Sequence, residues 1–147
     1  PFGYYIQANA TSNDWVIDIA GGGWCNNLQS CATRDPRLSS SRTWSPTIGS
    51  NCITIDDPVK NPAYYTYNHV YFPYCDGSSF TSFRVDPVPT NSSTGIPESH
   101  MRGKNNLFAA LESLRRDHGM VAVGEMIVTG GSAVGTKNNS CNWCIQS

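Results

Sequence analysis

Hydrophobic residues gather in short runs along the chain, and four of those runs have a readable pattern. Residues 13–20, Asn-Asp-Trp-Val-Ile-Asp-Ile-Ala, form a β-branched run between turn formers that breaks at Gly21-Gly22-Gly23, which predicts a strand emptying into a backbone loop. Residues 69–74, His-Val-Tyr-Phe-Pro-Tyr, are aromatic and β-branched and predict a second strand; Pro73 brings it to its end, having no N–H for a ladder. Within residues 105–118, Leu107, Ala110, Leu111 and Leu114 share one helical face. Arg115, Arg116 and His118 complement the negative end of that helix, and Gly119 supplies its stop. Residues 125–129, Glu-Met-Ile-Val-Thr, predict a third strand, which runs straight into Gly130-Gly131-Ser132-Ala133-Val134-Gly135.

The remainder is polar. Residues 26–62 are broken by Pro36, Pro46, Pro58 and Pro62 and keep no sustained period, so they read as loop with at most one short element. Residues 84–97, rich in Pro, Ser and Asn, read as an exposed loop. The order is therefore strand, glycine loop, strand, helix, strand, serine turn. A helix crossing between strands makes those strands parallel neighbours, so the expected class is α/β, in a single domain over residues 1–147 without internal repeats.

Composition narrows the partners. Ten Lys and Arg against eleven Asp and Glu leave a net charge of -1 with no basic run, which removes the electrostatic footprint of a nucleic-acid binder. No apolar stretch approaches the roughly 20 residues of a membrane span, and no leader pattern opens the chain, so no membrane partner is expected. The first residue is Pro1 and not Met, from which an N-terminal piece is expected to be missing. Six cysteines and the sequons at Asn9, Asn91 and Asn138 point to an oxidising, glycosylating secretory route and an extracellular or cell-wall destination. Six cysteines allow 15 pairings; Cys25 and Cys31 are near enough in sequence to form a local staple.

Two segments could carry chemistry. A serine at the apex of a sharp turn after a strand exposes its hydroxyl above the sheet, as acyl transfer requires; the same sequence also fits a structural Gly-Ser turn. Gly21-Gly22-Gly23 fits either a flexible turn or a loop whose N–H groups receive an oxyanion. A phosphate loop fits less well, because the run does not open a helix and lacks the G-x-G-x-x-G spacing.

A resemblance joins the two segments. Gly21-Gly22-Gly23-Trp24-Cys25-Asn26-Asn27, Cys31, Asn61-Pro62-Ala63-Tyr64-Tyr65, Tyr74-Cys75-Asp76-Gly77-Ser78-Ser79-Phe80, Arg102-Gly103 and Gly130-Gly131-Ser132-Ala133 occur in the order seen in the pectin acetylesterase family, which this chain resembles from Tyr4 to Gly135. That family includes Notum-type deacylases, which remove a fatty acyl group from a secreted signalling protein. They differ in the Gly-rich block and lack the Asp-Gly-Ser-Ser-Phe run, so the chain sides with the polysaccharide esterases. The resemblance implies an α/β-hydrolase-like parallel sheet and a secreted, monomeric enzyme that hydrolyses acetyl esters on pectin through a Ser, Asp, His triad. It implies Ser132 as nucleophile, the N–H groups of Gly22, Gly23 and Ala133 as oxyanion donors, and Trp24 as a pocket wall; no metal or organic cofactor is required.

The chain departs from the family pattern in two places. The family elbow reads Gly-Cys-Ser-Ala-Gly-Gly, whereas Gly131 and Val134 stand here for the Cys and the first following Gly, and a β-branched Val134 crowds a close helix–strand approach. In this fold the triad runs Ser, then Asp, then His, yet neither type occurs after Ser132. His69, His100 and His118 lie upstream, at a core strand, in a loop and in a helix's last turn, and each reads as structural or solvated. Asp76 reads as a turn former ahead of Gly77. Residues 136–144 have no apolar stripe, so the expected architecture is truncated after the elbow; Cys141 and Cys144 read as a disulfide or chance pair and not as metal ligands. The competing expectation is a non-enzymatic secreted module that binds glycan through Trp24, Trp44 and Tyr64.

Overall fold

The computed structural model describes residues 2–50, 52–89 and 98–132. Strand β1 (Tyr5–Gln7) is followed by β2 (Trp15–Ile19), a short helix α1 (Leu28–Ala32) and three 3-10 turns at Pro36–Leu38, Ser41–Thr43 and Cys52–Thr54. Then come β3 (Asn68–Phe72), the small pair β4 (Val88–Pro89) and β5 (Glu98–Ser99), the long helix α2 (Gly103–Asp117) and β6 (Met126–Gly130). The four larger strands form one sheet in the order β1-β3-β2-β6. β2 pairs in parallel with both β3 and β6, while β1 adds an antiparallel edge.

The predicted α/β sheet is thus present, and α2 is the crossover between β3 and β6. β3 stops at Phe72, one residue before Pro73. α2 ends at Asp117 with His118 as its cap and Gly119 at φ +75°, a left-handed turn that a glycine enters without steric cost. Residues 26–62 hold several short elements where at most one was expected. α1 begins at a capping box in which the Asn27 side chain accepts from the Ser30 N–H while Ser30 Oγ accepts from the Asn27 N–H. Part of the expected loop at 84–97 is the ladder of β4 and β5, joined at Val88 to Ser99 and Pro89 to Glu98.

One face of the sheet carries the core. Trp15, Ile17, Val70 and Phe72 project toward Ala110 and Leu114 of α2, with Tyr74 and Phe80 closing the end and Phe2, Tyr4, Leu107 and Leu111 packed around them. Leu114 and Phe72 are completely buried, and deleting such a side chain to Ala costs about 2–5 kcal/mol. β6 lies at the opposite edge from β1. Its Met126 and Val128, level with Trp15 and Ile17, are exposed among the described residues. No helix among the described residues is long and apolar enough to cross a membrane.

Candidate active site

β2 and β6 are parallel and in register, with Ile19 opposite Gly130, so the loops leaving their carboxyl ends begin side by side. The Gly131 N–H donates to the Ile19 carbonyl at 3.1 Å, and the Ala20 N–H donates to the Phe72 carbonyl at 2.9 Å. From β2 the chain passes to β3 on one side, then returns through α2 to β6 on the other. The carboxyl end of β2 is therefore where the strand order reverses, the place at which open α/β sheets form their binding crevice.

Ser132 is exposed and has φ +54°, a left-handed conformation that costs an ordinary residue energy, at a sharp turn directly after a strand. Against it lies Gly21. A Cβ there would fall 2.0 Å from the Gly131 carbonyl oxygen and 2.6 Å from Ser132 Cβ, so the two loops touch backbone to backbone and only glycine fits. Gly22 packs beneath, where a Cβ would meet the Tyr74 ring at 2.5 Å. Gly23 turns with φ +71° into open space. Of the three expected oxyanion donors, Gly22 and Gly23 thus lie in the loop whose first residue touches Ser132; Ala133 and Val134 lie outside the described residues.

The far side of the loop is built on residues 74–80. Trp24 is exposed, and its indole N–H donates to Ser79 Oγ at 2.7 Å. Ser79 and Phe80 both take positive φ, +55° and +58°. That turn is held from inside by Asp76, a buried carboxylate that accepts from the Ser78 hydroxyl, from the Ser78 N–H at 3.3 Å and from the Phe80 N–H at 3.1 Å. Gly103, the first residue of α2, sits so close that its Cβ would stand 1.8 Å from Asp76 Oδ2. Asp76 therefore organises the turn, as its place ahead of Gly77 implied. The Tyr74 hydroxyl accepts from the Ser79 N–H at 2.8 Å, and burial pushes its ionisation above the ordinary phenol range.

None of the three histidines shares a hydrogen bond with Ser132 among the described residues. His69 is buried on β3, with Nε2 at 2.7 Å from the Tyr64 carbonyl and Nδ1 without a partner among the described residues. His100 lies 3.9 Å from Glu98, and His118 caps α2 with its ring edge-on to Tyr4. The staple between Cys25 and Cys31 is formed. Cys75 is buried and has no disulfide partner among the described residues, its ionisation pushed up to about 12 by desolvation and then by the Asp76 charge.

Asn9 is described, and its side-chain amide donates to the Thr66 carbonyl at 2.7 Å while its oxygen accepts from Thr11 Oγ1 at 2.7 Å. Asn91, Asn138, Cys141 and Cys144 lie outside the described residues. Trp44, one of the aromatics assigned to a glycan surface, is half-buried between Phe2 and Tyr5 with its indole N–H on the Arg37 carbonyl, so packing already occupies it.

Two contributors carry no clear sequence signal. Gly21 is indistinguishable from its two neighbours within a run of three. Arg34, in a polar stretch, reads as a surface charge but is buried with Nη1 donating to the Gly23 carbonyl at 3.1 Å.

A model of the pectinacetylesterase family matches residues 1–144. Pectin acetylesterase 5 of Arabidopsis thaliana is 30% identical over 144 residues, a match covering 90% of this chain and 30% of that protein. Palmitoleoyl-protein carboxylesterase NOTUM of Drosophila melanogaster is 30% identical over 139 residues, covering 90% of this chain and 20% of that protein. The crystal structure of the Wnt deacylase Notum from Drosophila superposes with a TM-score of 0.78 at 26% identity, over 90% of this chain and 38% of that one. The chain thus has an α/β-hydrolase-like fold and spans 20% to 38% of the length of these relatives.

Proposed function

This chain belongs to the pectin acetylesterase family, and from that premise we propose that it carries the nucleophile and the oxyanion loop of a secreted serine carboxylesterase acting on acetyl esters of pectin. The observation that carries the reading is Ser132 at φ +54° on the turn after β6, where the glycine loop that leaves β2 packs against the Gly131 backbone and Ser132 Cβ. An acetyl carbonyl lying between them is attacked by Ser132 Oγ. The tetrahedral oxyanion is received by the N–H groups of Gly22, Gly23 and Ala133, each such donor contributing roughly 3–4 kcal/mol to lowering the barrier. A histidine takes the Ser132 proton and gives it to the galacturonan alcohol as it leaves; it then takes a proton from the water that attacks the acetyl-enzyme and returns it to Ser132 Oγ as acetate departs. Trp24, held on Ser79, walls the acyl side. A secretory route is supported by the Cys25–Cys31 disulfide and by the sequons at Asn9, Asn91 and Asn138.

The residues after Ser132 include neither Asp nor His, so this 147-residue chain by itself is expected to hydrolyse aryl acetates negligibly. An esterase that carries this segment together with a downstream Asp and His is expected to take a fluorophosphonate on Ser132 and to lose both label and turnover in Ser132→Ala. Label on another residue, or turnover that survives Ser132→Ala, overturns the proposal. The competing acyl group is the long chain removed by a Notum-type deacylase. It is separated in the same assay by comparing acetyl with long-chain aryl esters, and preference for the long chain overturns the pectin assignment while leaving the esterase intact.

A further inference from the structure

We propose that Arg34 is a positioning residue, which holds the oxyanion loop in its receiving conformation from behind; the assignment of that loop rests on the esterase reading above. Gly23 has φ +71° and no atom within 4 Å of where a Cβ would be. Nothing steric confines it, and a glycine in such a place explores left- and right-handed conformations alike. An oxyanion hole functions only when its donors are fixed before charge develops, so a residue with this freedom has to be tied from outside.

Arg34 supplies the tie. Its Nη1 donates to the Gly23 carbonyl at 3.1 Å and its Nη2 lies 3.4 Å from the Leu38 carbonyl, while its guanidinium plane lies over the Tyr74 ring at 5.4 Å. The side chain is buried, yet no carboxylate lies within ion-pair distance of it among the described residues. A buried charge is held here by neutral carbonyls and a ring, and what those contacts orient is the peptide that links Gly23 to Trp24. The surroundings are fitted to the same end. Arg34 follows α1, and the Cys25–Cys31 disulfide folds α1 back onto the loop it serves. Gly77, at φ +70°, leaves room for the disulfide that carries α1, since a Cβ there would lie 2.7 Å from Cys25 Cβ, while Arg34 Nη1 at 3.7 Å would be in ordinary contact.

The test compares the wild-type chain with Arg34→Met, which keeps volume and removes every donor, and Arg34→Lys, which keeps charge but cannot fork to two carbonyls. Backbone order parameters from NMR relaxation are expected near 0.85 at Gly22, Gly23 and Trp24 in the wild type and below about 0.6 in Arg34→Met, with Arg34→Lys between them. β2, β6 and α2 are expected to stay rigid. In an esterase carrying this segment and a complete triad, Arg34→Met is expected to lower kcat about tenfold to a hundredfold with KM within about twofold, since misplaced donors act on the transition state.

Unchanged order parameters in either variant overturn the proposal whatever the activity does. Loss of order spread evenly through β2 and α2 also overturns it, because Arg34 would then be a packing residue only. Should Arg34→Met fail to fold, Arg34→Lys carries both readouts. If the loop loosens as expected while Ser132 of the wild-type esterase takes no fluorophosphonate, the tether stands and the esterase reading falls.

Discussion

Gly21 packs against the backbone of Gly131 and the Cβ of Ser132 across the ends of two parallel strands: a Cβ added to Gly21 would stand 2.0 Å from the carbonyl oxygen of Gly131 and 2.6 Å from Ser132 Cβ. Separations under 3 Å to backbone atoms cannot be relieved by turning a side chain. Gly21→Ala must therefore push the two loops apart. Overpacking of this kind costs about 1–3 kcal/mol, and at this position it also displaces the serine from the donors that follow Gly21. The expected outcome is a lower denaturant midpoint with an unchanged slope, together with at least a hundredfold loss of Ser132 reactivity toward a fluorophosphonate in a triad-bearing esterase, about what a displacement of 1 Å costs. Gly23→Ala, placed in open space, provides the contrast: it strains φ but meets no neighbour. Equal disruption by both variants would show that backbone contact is not what limits the site.

The elbow stores strain, and a glycine should release it. Ser132 at φ +54° occupies a region that costs a non-glycine residue about 1–2 kcal/mol. Ser132→Gly is expected to stabilise the chain by about 1 kcal/mol, or to leave it unchanged once the greater flexibility of glycine in the unfolded state is counted, whereas Ser132→Ala keeps the strain and gains nothing. Both lose the Ser132 hydroxyl. The measurement is paired urea unfolding of the two variants, and a Ser132→Gly less stable than Ser132→Ala would mean that the turn is not strained. A serine whose removal stabilises its protein would be held in place at a cost to the fold, as the proposed nucleophile role requires.

The parts of this fold that could be read from sequence are those whose residues suffice for their own structure. The run from Trp15 to Ile19 is β-branched and bounded by turn formers, and Leu107, Ala110, Leu111 and Leu114 set the face of α2 without reference to anything else. β1 is different. Three residues, Tyr5 to Gln7, carry no alternation long enough to see, and they are a strand because β3 offers them an edge, with Ile6 opposite Val70. α1 announces itself only through Asn27 and Ser30, a cap in which Ser replaces the Glu or Gln of the familiar signature. At the site the same division holds. Ser132 and the glycine run were visible because a strand leads into each. The separate duties of Gly21, Gly22 and Gly23 depend on Gly131, Tyr74 and open space respectively, which no local sequence encodes. Arg34 was hidden for a like reason, since an arginine is placed on the surface until a carbonyl and a ring are known to enclose it.

The second face of the sheet carries a half-buried carboxylate whose effect depends on pH. Asp18 lies on β2 between Tyr71 of β3 and Thr129 of β6 in register, and its carboxylate accepts no hydrogen bond among the described residues. Desolvation alone raises its pKa above the ordinary carboxylate value. Tyr71, opposite it, is raised as well, by burial first and then by the Asp18 charge. A carboxyl whose folded pKa exceeds its unfolded one binds its proton more tightly in the native state. Its contribution is therefore fully present below the unfolded value of 3.8 and is lost as pH rises through the folded pKa, so at neutral pH an ionised Asp18 opposes folding. Asp18→Asn, which keeps the shape and removes the charge, is expected to be more stable than the wild type at pH 7. The difference should shrink as pH falls through the carboxylate range and vanish once Asp18 is protonated in both states. Thermal midpoints of the two proteins, taken from pH 3 to pH 7, measure it directly. A wild type that is the more stable of the two at pH 7 would show that the Asp18 charge is paired in solution, and the direction of the pH dependence would then reverse.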